Sequence, residues 1–154
     1  MFEGISINKV GTYKLNFTTD LNLPGRNYCT SNEIFVNVGE PNELIIVDEP
    51  STTVYGSKAF NSQPRLIIVD HGGNLVKMDS TSRVVISLHS NPSNASLSPI
   101  LNRVAIASEG VVQFKHLSLD KAGSGYRFLY ELFTFDIDKG YLIETNITTV
   151  GEKY

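Results

Sequence analysis

Asp136, Asp138 and Gly140 form an Asp-x-Asp-x-Gly string, with Glu144 beyond it. Calcium loops place carboxylates at alternate positions and use a glycine for the sharp turn. Here the next positions are Tyr141 and Leu142, and the acidic series stops. The string therefore reads as an ordinary hairpin with outward Asp side chains. Asp70 and Asn74 around Gly72-Gly73 make a second oxygen-rich loop. A turn in which Asp and Asn side chains cap backbone N–H groups, with the glycines at positive φ, accounts for the same residues. His71, His89 and His116 are far apart, without the i,i+4 spacing or the Cys companion of a zinc site. His116 is expected to face solvent between Phe114 and Leu117. No Ser sits in G-x-S-x-G, and no glycine-rich string matches a phosphate loop. No catalytic, cofactor-binding or metal residue is assigned, and an enzyme is not expected.

The single cysteine, Cys29, cannot form an internal disulfide, and in the polar stretch Asn27-Tyr28-Cys29-Thr30 it reads as an unpaired loop thiol. A bridge to chain outside this sequence is the alternative. Asn16, Asn94 and Asn146 each begin a glycosylation sequon. With 13 Asn and 26 Ser plus Thr, about two such triplets arise by chance, so they carry little weight. Asn94, in a turn, would be the most accessible of them. Tyr28, Tyr55, Tyr141 and Tyr154 could form a sugar- or protein-binding patch, although Tyr at strand edges is more often structural.

The elements that would position these groups are strands. The chain has 154 residues, 41% hydrophobic and 19% charged, enough for one domain, or one domain and a piece of another. A net charge of −3 argues against a nucleic-acid binder. The longest aliphatic runs, Leu44–Val47 and Leu66–Val69, are four residues, too short to span a membrane as a helix. Ile5 and Ile7; Tyr13, Leu15 and Phe17; and Ile34, Val36 and Val38 alternate with mostly polar neighbours, the period of a half-buried strand. So do Leu66 and Ile68; Val84, Ile86 and Leu88; Val112 and Phe114; Leu117 and Leu119; and Tyr126, Phe128 and Tyr130. Turn chemistry separates them at Asp70–Asn74, Asn91–Asn94 and Lys121–Gly125. Short strands with frequent turns predict an all-β antiparallel sandwich.

The chain also repeats. Phe2, Ile5, Ile7, Lys9 and Gly11 recur as Phe114, Leu117, Leu119, Lys121 and Gly123, displaced by 112. After one inserted residue, Tyr13, Leu15 and Phe17 recur as Tyr126, Phe128 and Tyr130, and Val38-Gly39-Glu40 matches Val150-Gly151-Glu152. Residues 1–39 are therefore expected to be the C-terminal strands of a preceding unit, and 41–151 a complete one. The leading piece should be weakly folded alone. Pro41, in the short linker Gly39-Glu40-Pro41-Asn42, should restrict the angle between units.

Gly56-x-x-x-Phe60, Gln63-Pro64-x-Leu66-x-Ile68-x-Asp70-x-x-Gly73-Asn74-x-Val76 and Val84-x-Ile86-x-Leu88 resemble the front half of an immunoglobulin-like repeat. Gly110-x-x-x-Phe114-x-x-Leu117-x-Leu119 and Gly125-Tyr126-x-Phe128 resemble its back half. The likeness is to the tandem invasin-like or filamin-like repeats of large surface proteins and adhesins. It covers residues 41–130 well and 131–151 poorly, where Phe133–Asp138 and Tyr141–Ile143 suggest an extended hairpin around Lys139-Gly140. The Trp and the cysteine pair of antibody domains are absent.

The resemblance implies an immunoglobulin-like β-sandwich, one complete unit preceded by the C-terminal strands of another. It implies a non-enzymatic spacer or adhesion module of a larger protein, extracellular or at the cell surface. The expected partners are neighbouring repeats of the same chain, with another protein or a glycan as a further class. Neither nucleic acid nor direct membrane insertion is expected, and no cofactor. The alternatives are an intracellular filamin-like scaffold repeat that binds a partner strand at a sheet edge, and a carbohydrate-binding accessory domain of a hydrolase.

Overall fold

Alternating side chains bury one face of a strand only if a second sheet covers that face, and the chain meets this condition in one part and not in the other. The computed structural model describes residues 3–21, 24–52, 55–136 and 141–150, with side chains described as far as residue 134. All its strand pairs are antiparallel.

The first part is a leading hairpin. Strands β1 (Gly11–Tyr13) and β4 (Ile34–Val36) pair with Gly11 opposite Val36 and Tyr13 opposite Ile34. Beyond them β2 (Asn16–Thr18) pairs with β3 (Tyr28–Thr30), Phe17 standing opposite Cys29. Where the ladder breaks, Leu15 N donates to Ser31 Oγ at 2.9 Å and Ser31 N donates to Leu15 O at 2.8 Å. Tyr13, Leu15, Phe17, Ile34 and Val36 point to one face, and each is only half-buried. No described residue from 3 to 40 is buried.

The second part has two larger sheets. One contains β5 (Glu43–Asp48), β6 (Arg65–Val69) and β10 (Val111–Gln113), in the order β10-β6-β5. The other contains β7 (Arg83–Ser90), β9 (Val104–Ile106), β12 (Arg127–Asp136) and β13 (Tyr141–Val150), in the order β13-β12-β7-β9. A short pair, β8 (Leu97–Ser98) with β11 (Ser118–Leu119), and one 3-10 turn at Ile100–Arg103 close one end.

Leu66, Ile68 and Val112 of the first sheet share one core with Val84, Ile86, Phe128, Tyr130 and Leu132 of the second. Phe60 meets Phe128 edge-to-face at 5.8 Å, and Phe114 lies 6.0 Å from Tyr130. Each such buried side chain contributes roughly 1.5–3 kcal/mol before chain entropy is subtracted. Gln63 links a loop to this core much as a strand would. Its Nε2 donates to Phe60 O at 2.8 Å, and its Oε1 accepts from Leu117 N at 2.9 Å.

Four expectations need correction. Ile5 and Ile7 lie in a segment, 3–10, that forms no strand. Of their counterparts, Leu119 pairs with Leu97 of β8, and among the described residues the leading segment has no such neighbour. Leu117 itself stands outside a strand, and β11 holds only Ser118–Leu119. Cys29 is not in a loop: it is exposed on β3, held by the ladder to Phe17. The Val-Gly-Glu match is not carried into the pairing. Val38 lies outside a strand, two residues beyond the end of β4, whereas Val150 ends β13 opposite Leu129. The hairpin expected around Lys139-Gly140 is present as β12 and β13, and its tip, residues 137–140, lies outside the described residues.

Candidate functional site

The Asp70 carboxylate accepts five hydrogen bonds and sits where the leading hairpin meets the larger sheets. Asp70 follows β6, is 5% exposed, and is turned back on its own loop. Its Oδ1 accepts from Gly72 N at 2.9 Å and Asn74 N at 2.8 Å. Its Oδ2 accepts from Gly39 N, in the linker, at 2.8 Å. The Asn74 amide donates to both oxygens at 2.9 Å. These donors favour the ionised form, the Asn74 side chain most and Gly39 N next, and they hold the Asp70 carboxyl down at about 2.

Asn74 reaches further. Its Nδ2 also donates to Asn8 O at 2.8 Å, and its Oδ1 accepts from Val10 N at 3.2 Å. One amide side chain thus serves a C=O and an N–H two residues apart, as a neighbouring strand would. Lys9 Nζ donates to Gly73 O at 3.4 Å, and Val38 packs against the core of the larger sheets. Gly73 has φ +71°, the left-handed value the turn needs. Gly72 is required for a different reason: a Cβ there would stand 1.9 Å from Asn8 O. At the far end of the linker, Asn42 N donates to Val69 O at 2.8 Å. The linker is therefore bonded on both sides of Pro41.

A second feature recurs at both ends of the chain. Tyr13 OH donates to Lys9 O at 2.9 Å, and Tyr126 OH donates to Lys121 O at 3.0 Å. A Cβ on Gly11 would stand 3.2 Å from the Tyr13 hydroxyl, and one on Gly123 would stand 2.8 Å from that of Tyr126. The recurring Lys, Gly and Tyr therefore build one corner twice, with the inserted residue inside the second. Residue types had marked this corner without revealing its bond.

The remaining candidates are scattered. His71, His89 and His116 are all exposed, His116 with φ +59°. Among the described residues, no group of three or more His, Cys, Asp or Glu could hold a metal ion. The side chains of Asp136, Glu144, Tyr141 and Asn146, and all of Asp138, Gly140 and Tyr154, lie outside the described residues. Asn16 is exposed on β2, where its Oδ1 accepts from Thr30 Oγ1 at 2.8 Å. Asn94 is exposed in a turn with φ +49°. Tyr28 and Tyr55 are exposed, and Lys58 Nζ sits 5.6 Å over the Tyr55 ring.

Sequence reasoning missed the apolar edge at β9, where Leu101, Val104 and Ile106 are exposed. They line an open groove of about 370 Å³ together with Gln113, Phe114 and His116. It also missed the receiving side of the Asn74 contact, because Asn8 O, Val10 N and Gly39 N are main-chain groups without a residue-type signal.

Comparison with known proteins finds no matching family model, no matching curated protein and no matching solved structure.

Proposed function

We propose that this chain is a non-enzymatic segment of a tandem immunoglobulin-like array, a spacer or adhesion module of a larger extracellular or cell-surface protein. Residues 1–39 are the last strands of one unit and 41–151 the next. The observation that carries the reading is the bonded joint. Asp70 and Asn74 grip the leading segment at Asn8, Val10 and Gly39, which favours a fixed angle between successive units over free swinging. Strand order supports the immunoglobulin-like part. With β5, β6 and β10 as the first, second and fifth strands, they share a sheet that faces the third, sixth and seventh, β7, β12 and β13. The corner tyrosine, bonded to a backbone carbonyl a few residues upstream, is a further mark of that fold.

Amide residual dipolar couplings test the reading. Those of β1–β4 and those of β6, β7 and β12 should fit one alignment tensor, and Asn74→Ala should require two. Two tensors in the unaltered chain would refute a fixed spacer.

The β9 edge favours a second reading, a scaffold repeat whose apolar edge takes a partner strand by main-chain pairing. Material from the natural source separates the two. Glycan on Asn94 supports the surface module; a free Cys29 thiol with no glycan supports the scaffold.

A further inference from the structure

The leading corner is occupied, and among the described residues the second is not. At the first, Asn8 O and Val10 N are both taken by Asn74. Their counterparts at the second corner are Asp120 O and Ala122 N, and residues 120 to 124 are exposed. The corner's inward bonds are complete: Tyr126 OH donates to Lys121 O, Asp120 Oδ1 accepts from Ser96 N at 2.6 Å, and Lys121 Nζ donates to Asn94 O at 2.7 Å. Gly56 flanks it without a side chain, and even a Cβ there would stand only 3.4 Å from Asp120 O. We propose that the Asp120–Ala122 corner is a docking surface for a further sandwich unit carrying an Asp-x-Gly-Gly-Asn turn, gripped as Asn8–Val10 is gripped by Asn74.

The partner's chemistry follows from the first joint. Recognition there goes to main-chain groups, so it needs a side-chain amide that offers a donor and an acceptor together. A glycine two residues before that amide is also needed, because the approach to the carbonyl leaves no room for a Cβ. Charge matters little: Lys9 reaches the turn through a long bond, and Lys121 is turned to the neighbouring Asn91–Asn94 turn. A second copy of this chain cannot dock as it stands, because its turn is already filled by its own leading segment. The partner must present the turn free, as a unit does when it directly follows this one. The inference rests on the tandem reading.

The test is a fusion in which residues 1–150 are followed directly by a second copy of residues 39–154, so that Val150 takes the place of Val38 ahead of the same connector from Gly39 to Asn42. Amide exchange of Ala122 in the first copy should slow by about tenfold relative to the single chain. Asn74→Ala in the second copy alone should reverse the slowing, and the Val10 amide of the first copy should stay protected throughout. Unchanged exchange at Ala122 beside a folded second copy would overturn the proposal. So would slowing that survives Asn74→Ala, or a second copy that fails to fold behind the first. A single alignment tensor for the unfused chain would leave the spacer reading standing through any of these failures.

Discussion

Tyr13 and Tyr126 make the same hydrogen bond in the same kind of corner, but the strands that follow them end in different surroundings. After Tyr126, Phe128, Tyr130 and Leu132 are fully buried against the facing sheet. After Tyr13, Leu15 and Phe17 are half-exposed, and no described residue of the leading hairpin is buried. The corner is a local device: a lysine carbonyl, a glycine and a tyrosine assemble it from a few consecutive residues wherever they occur. The core is not local. It needs β6 and β10 to stand opposite β7 and β12, and the leading hairpin has no such sheet among the described residues. A chain can therefore repeat its turn chemistry faithfully while the energy holding each copy differs several-fold.

The largest expected difference tests that separation. Phe128→Ala should lower stability by about 3–5 kcal/mol, measured from denaturant midpoints, because its ring is wholly enclosed and packs on Phe60. Leu15→Ala, at the matching position, should leave the main transition within about 0.5 kcal/mol of its original value. Equal losses would mean that the leading hairpin belongs to the same core. A smaller difference is expected at the corner itself. Tyr126→Phe removes a bond made by a buried tyrosine and should cost about 1 kcal/mol. Tyr13→Phe should cost less than half as much, since Tyr13 is itself only half-buried and water reaches the site of its bond. Amide exchange in β1 and in β12 reads the two effects separately, and equal costs would remove the distinction between local device and core.

Sequence pattern carried some of this well. Leu66 and Ile68, Val84 and Ile86, and Tyr126, Phe128 and Tyr130 alternate and lie inside, because a covered sheet face enforces a period of two. Ile5 and Ile7 show the same period without a strand, since alternation indicates which face would be buried and supplies no ladder partner. Tyr28–Thr30 has no such pattern and is nevertheless a strand, set by the opposite arm of its hairpin. At the joint, Asp70 and Asn74 were visible as turn residues and do cap backbone N–H groups. What could not be seen is that Asn74 caps a segment 64 residues away. Positive φ explained Gly73 but not Gly72, whose reason is the neighbouring chain.

The smallest expected effect concerns the joint as pH falls. Asp70 ionises at about 2 in the folded chain, against 3.8 for an unperturbed side chain. A carboxyl held below its unfolded value stabilises the fold at any pH above that unfolded value, and the stabilisation is lost as pH falls through the folded one. Asp70→Asn gives the contrast. At pH 7 the unaltered chain should protect the Val10 amide better than the variant, because the carboxylate orients the Asn74 side chain that bonds it. Between pH 4 and pH 2 that advantage should shrink toward zero, while amides of Ile68 and Ile86, deep between the sheets, should show no matching change in the difference. A difference that stays constant across this window would show that the Asp70 charge does not hold the joint. One that appears equally at Ile86 would show that the carboxylate supports the core instead.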